Sequence, residues 1–268
     1  MVRIITIVNQ KGGVGKTTTA VNVASYLAEA EKKVLLIDTD PQANATSGLG
    51  IDITKLERGV YEALVGKMPV EKVIFASPIE NLHIIPATIN LAGASVELVS
   101  VENREYILDK CISHIKEHYD YIIIDCPPSL GLLTINSLTA GREVLIPVQC
   151  EYYALEGLGQ LLNTINLVKQ HLQPELNVLG SILTMFDKRN KLSVEILSEI
   201  YQHFPHYVFR SVIPRNIKLA EAPSFGQPIS KYDKRSKGAK AYRKLTAELI
   251  NTPCKIIPVD SVPAQEIK

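Results

Sequence analysis

Residues 9–22 read NQKGGVGKTTTAVN, and lysines, glycines and threonines at this spacing are the parts of a phosphate cradle. Gly12, Gly13 and Gly15 permit tight backbone curvature, so successive N–H groups can face phosphate oxygens. A helix starting near Thr17 adds the positive end of its dipole. Lys16 can reach β and γ phosphates, and the Thr17 hydroxyl can ligate Mg²⁺. The ordinary pattern, G-x-x-x-x-G-K-[ST], puts a glycine at position 10, where Gln10 stands instead. Lys11 is the second departure. A cation leaving the same loop as Lys16 cannot share its place beside the phosphates without like-charge repulsion.

Two later apolar runs end in aspartate. LLIDTD brings Asp38 to a strand end with Asp40 two residues on, and YIIIDCPP ends at Asp125. In a parallel sheet the carboxyl ends of strands are where ligands are held. Period-two geometry lets Asp38 and Asp40 approach the same side of a γ-phosphate if the chain stays extended. Asp125 has the form of an acid that holds Mg²⁺ through water. The histidines offer less: His114 and His118 are four apart on an expected helix, without the accompanying carboxylate motif, and read as surface residues.

The elements that must position these groups are legible from period. The run VRIITIV (2–8) is a buried strand, 17–31 is a helix with Ala20, Val23, Ala24, Leu27 and Ala28 on one stripe, and 33–40 is the next strand. Further strands are expected at 82–87, 119–128, 143–149, 177–186 and 207–214. Helices are expected at 103–118, 131–140, 153–171, 192–203 and 237–250. This alternation predicts an α/β single-domain P-loop NTPase fold over residues 1–250, with a mostly parallel central sheet and helices on both faces. Residues 251–268, with three prolines, read as a flexible tail unsuited to an amphipathic membrane anchor.

The chain has 268 residues, 46% of them hydrophobic and 21% charged, and a net charge of +1. That describes a folded soluble protein whose bulk charge names no partner, so any nucleic-acid site must be a local patch. No apolar run approaches the roughly 18 residues of a spanning helix. No signal peptide is expected ahead of the first strand. Cys111, Cys126, Cys150 and Cys254 lie too far apart for a structural zinc site and read as reduced cytosolic thiols.

The segment KGGVGKTT resembles the deviant Walker A motif of the ParA/MinD group of P-loop ATPases, and the resemblance spans about residues 2–250. It implies ATP and Mg²⁺ as cofactors, with Lys11, Gly12, Gly13, Val14, Gly15, Lys16, Thr17 and Thr18 around the nucleotide. It also implies that Lys11 crosses a dimer interface to the other subunit's nucleotide. Asp40 would orient or activate the attacking water, in catalysis shared with Lys16 and Lys11. Thr17, Asp38 and Asp125 would lie at the metal, and the loop Pro214–Asn216 against adenine. YYALEGLGQLL (152–162) and VIPRNIKLAEAPSFGQPI (212–229) are similar to the Soj/ParA partition branch.

KYDKRSKGAKAYRK (231–244) carries seven lysines or arginines against one aspartate, and Lys237, Lys240 and Lys244 share a helix face. DKRNK supplies Lys188, Arg189 and Lys191, and Arg215 with Lys218 makes a third group. Alone, such runs read as a solvated surface. With the resemblance, Arg189, Arg215, Lys218, Lys237 and Lys240 become candidates for phosphate contacts to double-stranded DNA without sequence preference. The whole then reads as a cytoplasmic, nucleoid-associated homodimer with ATP, stimulated by a ParB-like centromere-binding partner in chromosome or plasmid segregation. A MinD-like membrane ATPase and a metabolic P-loop enzyme are the rivals. The first needs an amphipathic tail, and one form of the second needs clustered cysteines.

Overall fold

Near-continuous runs of β-branched residues form the centre of the molecule. A computed structural model describes residues 1–151 and 154–253, with nothing drawn from the side chains of 154–156. Seven strands make one sheet: β1 (Arg3–Ile7), β2 (Val34–Asp38), β3 (Phe75–Ala76), β4 (Leu82–Ile85), β5 (Tyr121–Asp125), β6 (Glu143–Gln149) and β7 (Asn177–Thr184). Their order is β3-β4-β2-β5-β1-β6-β7, and every neighbour is parallel except the short edge strand β3. The antiparallel β3 lies in the irregular stretch 41–100, where its two residues carry too little pattern to be foreseen.

Register matters more here than strand order. Ile7 pairs with Asp125, and Asp38 also pairs with Asp125, so the ends of β1, β2 and β5 lie level. The chain leaving β1 is the glycine loop. The sheet therefore sets that loop beside both aspartates at one carboxyl edge.

The helix Lys16–Glu29 is buried on more than its apolar stripe, being packed between the sheet and the closing helix Lys237–Asn251. Its polar residues Thr19, Asn22 and Ser25 are buried because they find partners there. Thr19 Oγ1 bonds Tyr242 Oη (3.1 Å), Asn22 Oδ1 accepts from Ile229 N (2.8 Å), and Ser25 Oγ meets Ser230 Oγ (2.7 Å). Helices on the other face include Val60–Leu64, Leu91–Glu97, Ile107–Ile112 and Leu132–Ala140, over a core containing Ile37, Ile85, Ile122 and Ile124. The helices Ala154–His171 and Lys191–His203 lie over the β6–β7 side.

Two expected elements are different. Residues 103–118 are one short helix, Ile107–Ile112, between 3-10 turns, because Asn136 satisfies the broken backbone. Its Oδ1 accepts from Leu108 N (3.1 Å) and its Nδ2 donates to the Arg104 carbonyl (2.8 Å). His114 and His118 accordingly do not share a helix, and both are exposed. Residues 207–214 are not a strand. They pair with the β7 segment at isolated bridges, Ser181 with Val208 and Phe186 with Pro214, rather than in a continuous ladder. Between these, Arg210 N and Ser211 N donate to the Glu248 carboxylate at 2.7 and 2.9 Å, which replaces the ladder. The helix Lys237–Asn251 ends close to the expected boundary of the folded part, and residues 254–268 lie outside the described residues.

Candidate nucleotide site and basic groove

The glycine loop is built by its neighbours as well as by its glycines. Gly13 and Gly15 take left-handed backbone (φ 74° and 89°), which a Cβ would strain. Asn9 Nδ2 donates to the Pro147 carbonyl (2.7 Å), Asn9 Oδ1 accepts from Lys11 N (3.0 Å), and Thr184 Oγ1 donates to the Val14 carbonyl (2.8 Å). Gln10, in place of the usual glycine, uses its side chain: Nε2 donates to the Gly157 carbonyl (3.0 Å) and to Gln160 Oε1 (3.1 Å). The helix then starts at Lys16, its first N–H groups facing the loop.

Above the loop opens a cleft of about 380 Å³, lined by Gly12, Gly13, Gly15, Lys16, Thr17 and Thr18. Asp40, Asn44, Pro128, Pro223 and Pro228 complete its lining. Lys16 is buried, its Nζ donating to the Lys11 carbonyl (3.0 Å). Burial lowers its pKa, against the opposing pull of Asp125, Cys126 and Asp40. Lys11 Nζ is ion-paired with Glu151 instead.

The three aspartates are not equivalent. Asp38 is fully buried and already engaged: Oδ2 accepts from Thr46 N (2.9 Å) and Thr46 Oγ1 (2.7 Å), and Oδ1 from Asp40 N (3.1 Å). Burial pushes its pKa up to about 6 despite these bonds. Asp125 is also fully buried, but neither carboxylate oxygen has a hydrogen-bond partner. Burial and then the charge of Asp38 raise its pKa well above the usual range, with the Thr17 hydroxyl and Lys16 opposing. A buried carboxylate with both oxygens unpartnered, next to a phosphate loop, fits a cation. Among the described residues no three His, Cys, Asp or Glu side chains form a metal cage. Such a cation would therefore rely on phosphate and water oxygens as well, as Mg²⁺ does. Asp40 Oδ1 accepts from Gln42 N (3.0 Å), and its carboxylate borders the cleft itself.

A second cavity of about 220 Å³ adjoins the loop and is lined by Gly15, Thr18, Met185, Pro214, Asn216 and Tyr242. Pro214 and Asn216 thus lie beside the cradle, with Asn216 Oδ1 capping the next helix through Lys218 N (3.1 Å). The apolar lining suits a flat aromatic base. Sequence reasoning did not single out Asn44, four residues past Asp40, nor Pro223 and Pro228, although both prolines lie in the 212–229 segment quoted above.

The five basic candidates do not converge on one spot. Lys237 and Lys240 line a shallow groove of about 480 Å³ with Lys244 and Arg210. Arg210 was hidden inside the presumed strand. Arg215 instead borders the second cavity. Arg189, 84% exposed, pairs with Asp187 (2.8 Å), and Lys218 pairs with Glu221 (2.8 Å). Pro214 borders both the groove and the second cavity, so the two are separated by one loop and one helix.

A family model described as an AAA domain matches residues 2–178. The sporulation initiation inhibitor protein Soj of Bacillus subtilis is 56% identical over 249 residues, covering 93% of this chain and 98% of that protein. The chromosome partitioning protein ParA of Myxococcus xanthus is 52% identical over 248 residues, covering 92% and 88%. The chain belongs to the ParA/Soj family. Among solved structures, cobyrinic acid a,c-diamide synthase from Mycobacterium smegmatis with bound ADP and magnesium matches with a TM-score of 0.83 and 38% identity, over 93% of this chain and 94% of that one. The chain is thus a Mg²⁺-dependent P-loop ATPase. Among the described residues no helix is long and apolar enough to cross a membrane.

Proposed function

We propose that this protein is an ATP-driven dimerising switch that binds DNA without sequence preference and acts with a ParB-like centromere-binding partner in chromosome or plasmid segregation. It would work in the cytoplasm, on the nucleoid. The observation that carries this reading is a phosphate-loop cleft holding Lys16, joined through a second cavity at Pro214 to a basic groove on the helix Lys237–Asn251. The 56% identity to Soj supports it more strongly than the 38% identity to a metabolic synthase supports an amide-forming enzyme.

In this reading the loop N–H groups from Gly12 to Thr17 hold the phosphates, and Lys16 moves from the Lys11 carbonyl to the β and γ oxygens. Thr17 and Asp125 would hold Mg²⁺, which would supply positive charge to offset that of the phosphates. Asp38 keeps the turn from Asp40 to Thr46 in place through its three hydrogen bonds and so supports the metal side. Asp40 orients water against the γ-phosphate. The base sits among Met185, Pro214 and Asn216. Lys11 reaches the nucleotide of the second subunit, so ATP joins the dimer. Each protomer then offers its Arg210, Lys237, Lys240 and Lys244 to DNA phosphates, with Arg189, Arg215 and Lys218 as outlying contacts.

The test is DNA binding measured with ATP, with ADP and without nucleotide, on several unrelated duplexes. Tight binding that requires ATP and ignores sequence is expected. Equal binding in all three nucleotide states would overturn the switch.

A further inference from the structure

The head of the glycine loop is held from one direction. Asn9 bonds the Pro147 carbonyl, Gln10 bonds the Gly157 carbonyl, and Lys11 Nζ pairs with Glu151 Oε2. All three acceptors belong to the end of β6 or to the chain that follows it. Gln149 Nε2 donates to the remaining Glu151 oxygen, Oε1, so both carboxylate oxygens are gripped. Lys11 and Glu151 nevertheless keep 41% and 44% of their side-chain surface exposed. The pair is formed, but it can open toward solvent without disturbing the core.

We infer that Glu151 is a positioning residue that holds Lys11 on its own protomer, and that this ion pair must open before Lys11 can contact a second subunit's nucleotide. The inference rests on the dimer reading above. An ammonium group leaving a carboxylate for a phosphate exchanges one oxyanion partner for another, so neither state dominates by a large factor. The nucleotide phosphates carry more negative charge than one carboxylate and tip the exchange. Glu151 thereby sets a threshold: Lys11 is kept out of the protomer's own cradle and is released only when a loaded partner is presented. It also gives the departure at position 10 a purpose, since Gln10 fastens the loop to the helix that follows Glu151.

The experiment uses the full chain with saturating Mg²⁺-ATP and compares the parent with Glu151→Gln. A half-exposed ion pair is worth a modest factor, so the dimer dissociation constant should fall about two- to fivefold. The gain should lie in the association rate, with dissociation rate and monomer ATP affinity unchanged. High salt screens the pair and should narrow the difference. Glu151→Asp retracts the carboxylate by one methylene and should move the same way by less. An unchanged dissociation constant in Glu151→Gln would overturn the inference. So would a weaker dimer with faster dissociation, which would make Glu151 a contact across the interface. A parent that forms no dimer with ATP would refute the dimer reading itself, before any variant is compared.

Discussion

Replacing Lys240 with alanine removes one of four cations, Arg210, Lys237, Lys240 and Lys244, that line the shallow groove. Each phosphate contact releases counterions worth about 0.9 in the slope of log affinity against log salt. A symmetric dimer loses the contact twice, so the slope should shrink by about 1.8. Between about 50 and 200 mM salt the parent should then lose roughly twelvefold more affinity than the variant, which starts weaker at low salt. Arg189 provides the contrast, because its guanidinium already pairs with Asp187 and the two charges cancel locally. Arg189→Ala should change the slope by less than half as much as Lys240→Ala. The assay is a salt titration of binding to two unrelated duplexes, run beside sizing in ATP, where both variants should still dimerise. Equal slopes for parent and Lys240→Ala would refute the groove. A larger effect at Arg189 would move the DNA surface to the 187–191 turn.

Lys16→Ala should abolish productive ATP turnover, since among the described residues of the protomer Lys16 carries the one ammonium group that lines the cleft; normal steady-state hydrolysis would sink the cradle assignment. Asp40→Ala should bind ATP, hydrolyse it at least tenfold more slowly and accumulate as dimer, and a variant that stays monomeric in sizing with ATP would refute that role. Stability should depend on pH through Asp38, whose folded pKa is raised by burial to about 6. A carboxylate so raised stabilises the fold when protonated, and the contribution is lost as pH rises through about 6. The nucleotide-free protein should therefore melt higher at about pH 5.5 than at about pH 7.5, by a margin that Asp38→Asn reduces. An identical pH profile in parent and Asp38→Asn would remove Asp38 as the source.

The local features of this protein were readable in the chain: six of the seven strands, the loop between β1 and its helix, and three aspartates near strand ends. Each depends on residues within a few positions of one another, where β-branched runs, glycine curvature and strand period act directly. Other features were settled between residues far apart. The levelling of Asp38 with Asp125 is a register of three strands. The failure of 207–214 as a strand comes from Glu248, whose carboxylate takes two backbone N–H groups. Arg210 joined the groove for the same reason, once its segment had left the sheet edge. The burial of Thr19 awaited Tyr242, 223 residues away, and the hold on Lys11 awaited Glu151, 140 residues away. Periodicity carries no record of such pairs. A buried polar group or a loop cation takes its partner from whatever the packed sheet brings within about 3 Å, and only the folded chain decides which that is.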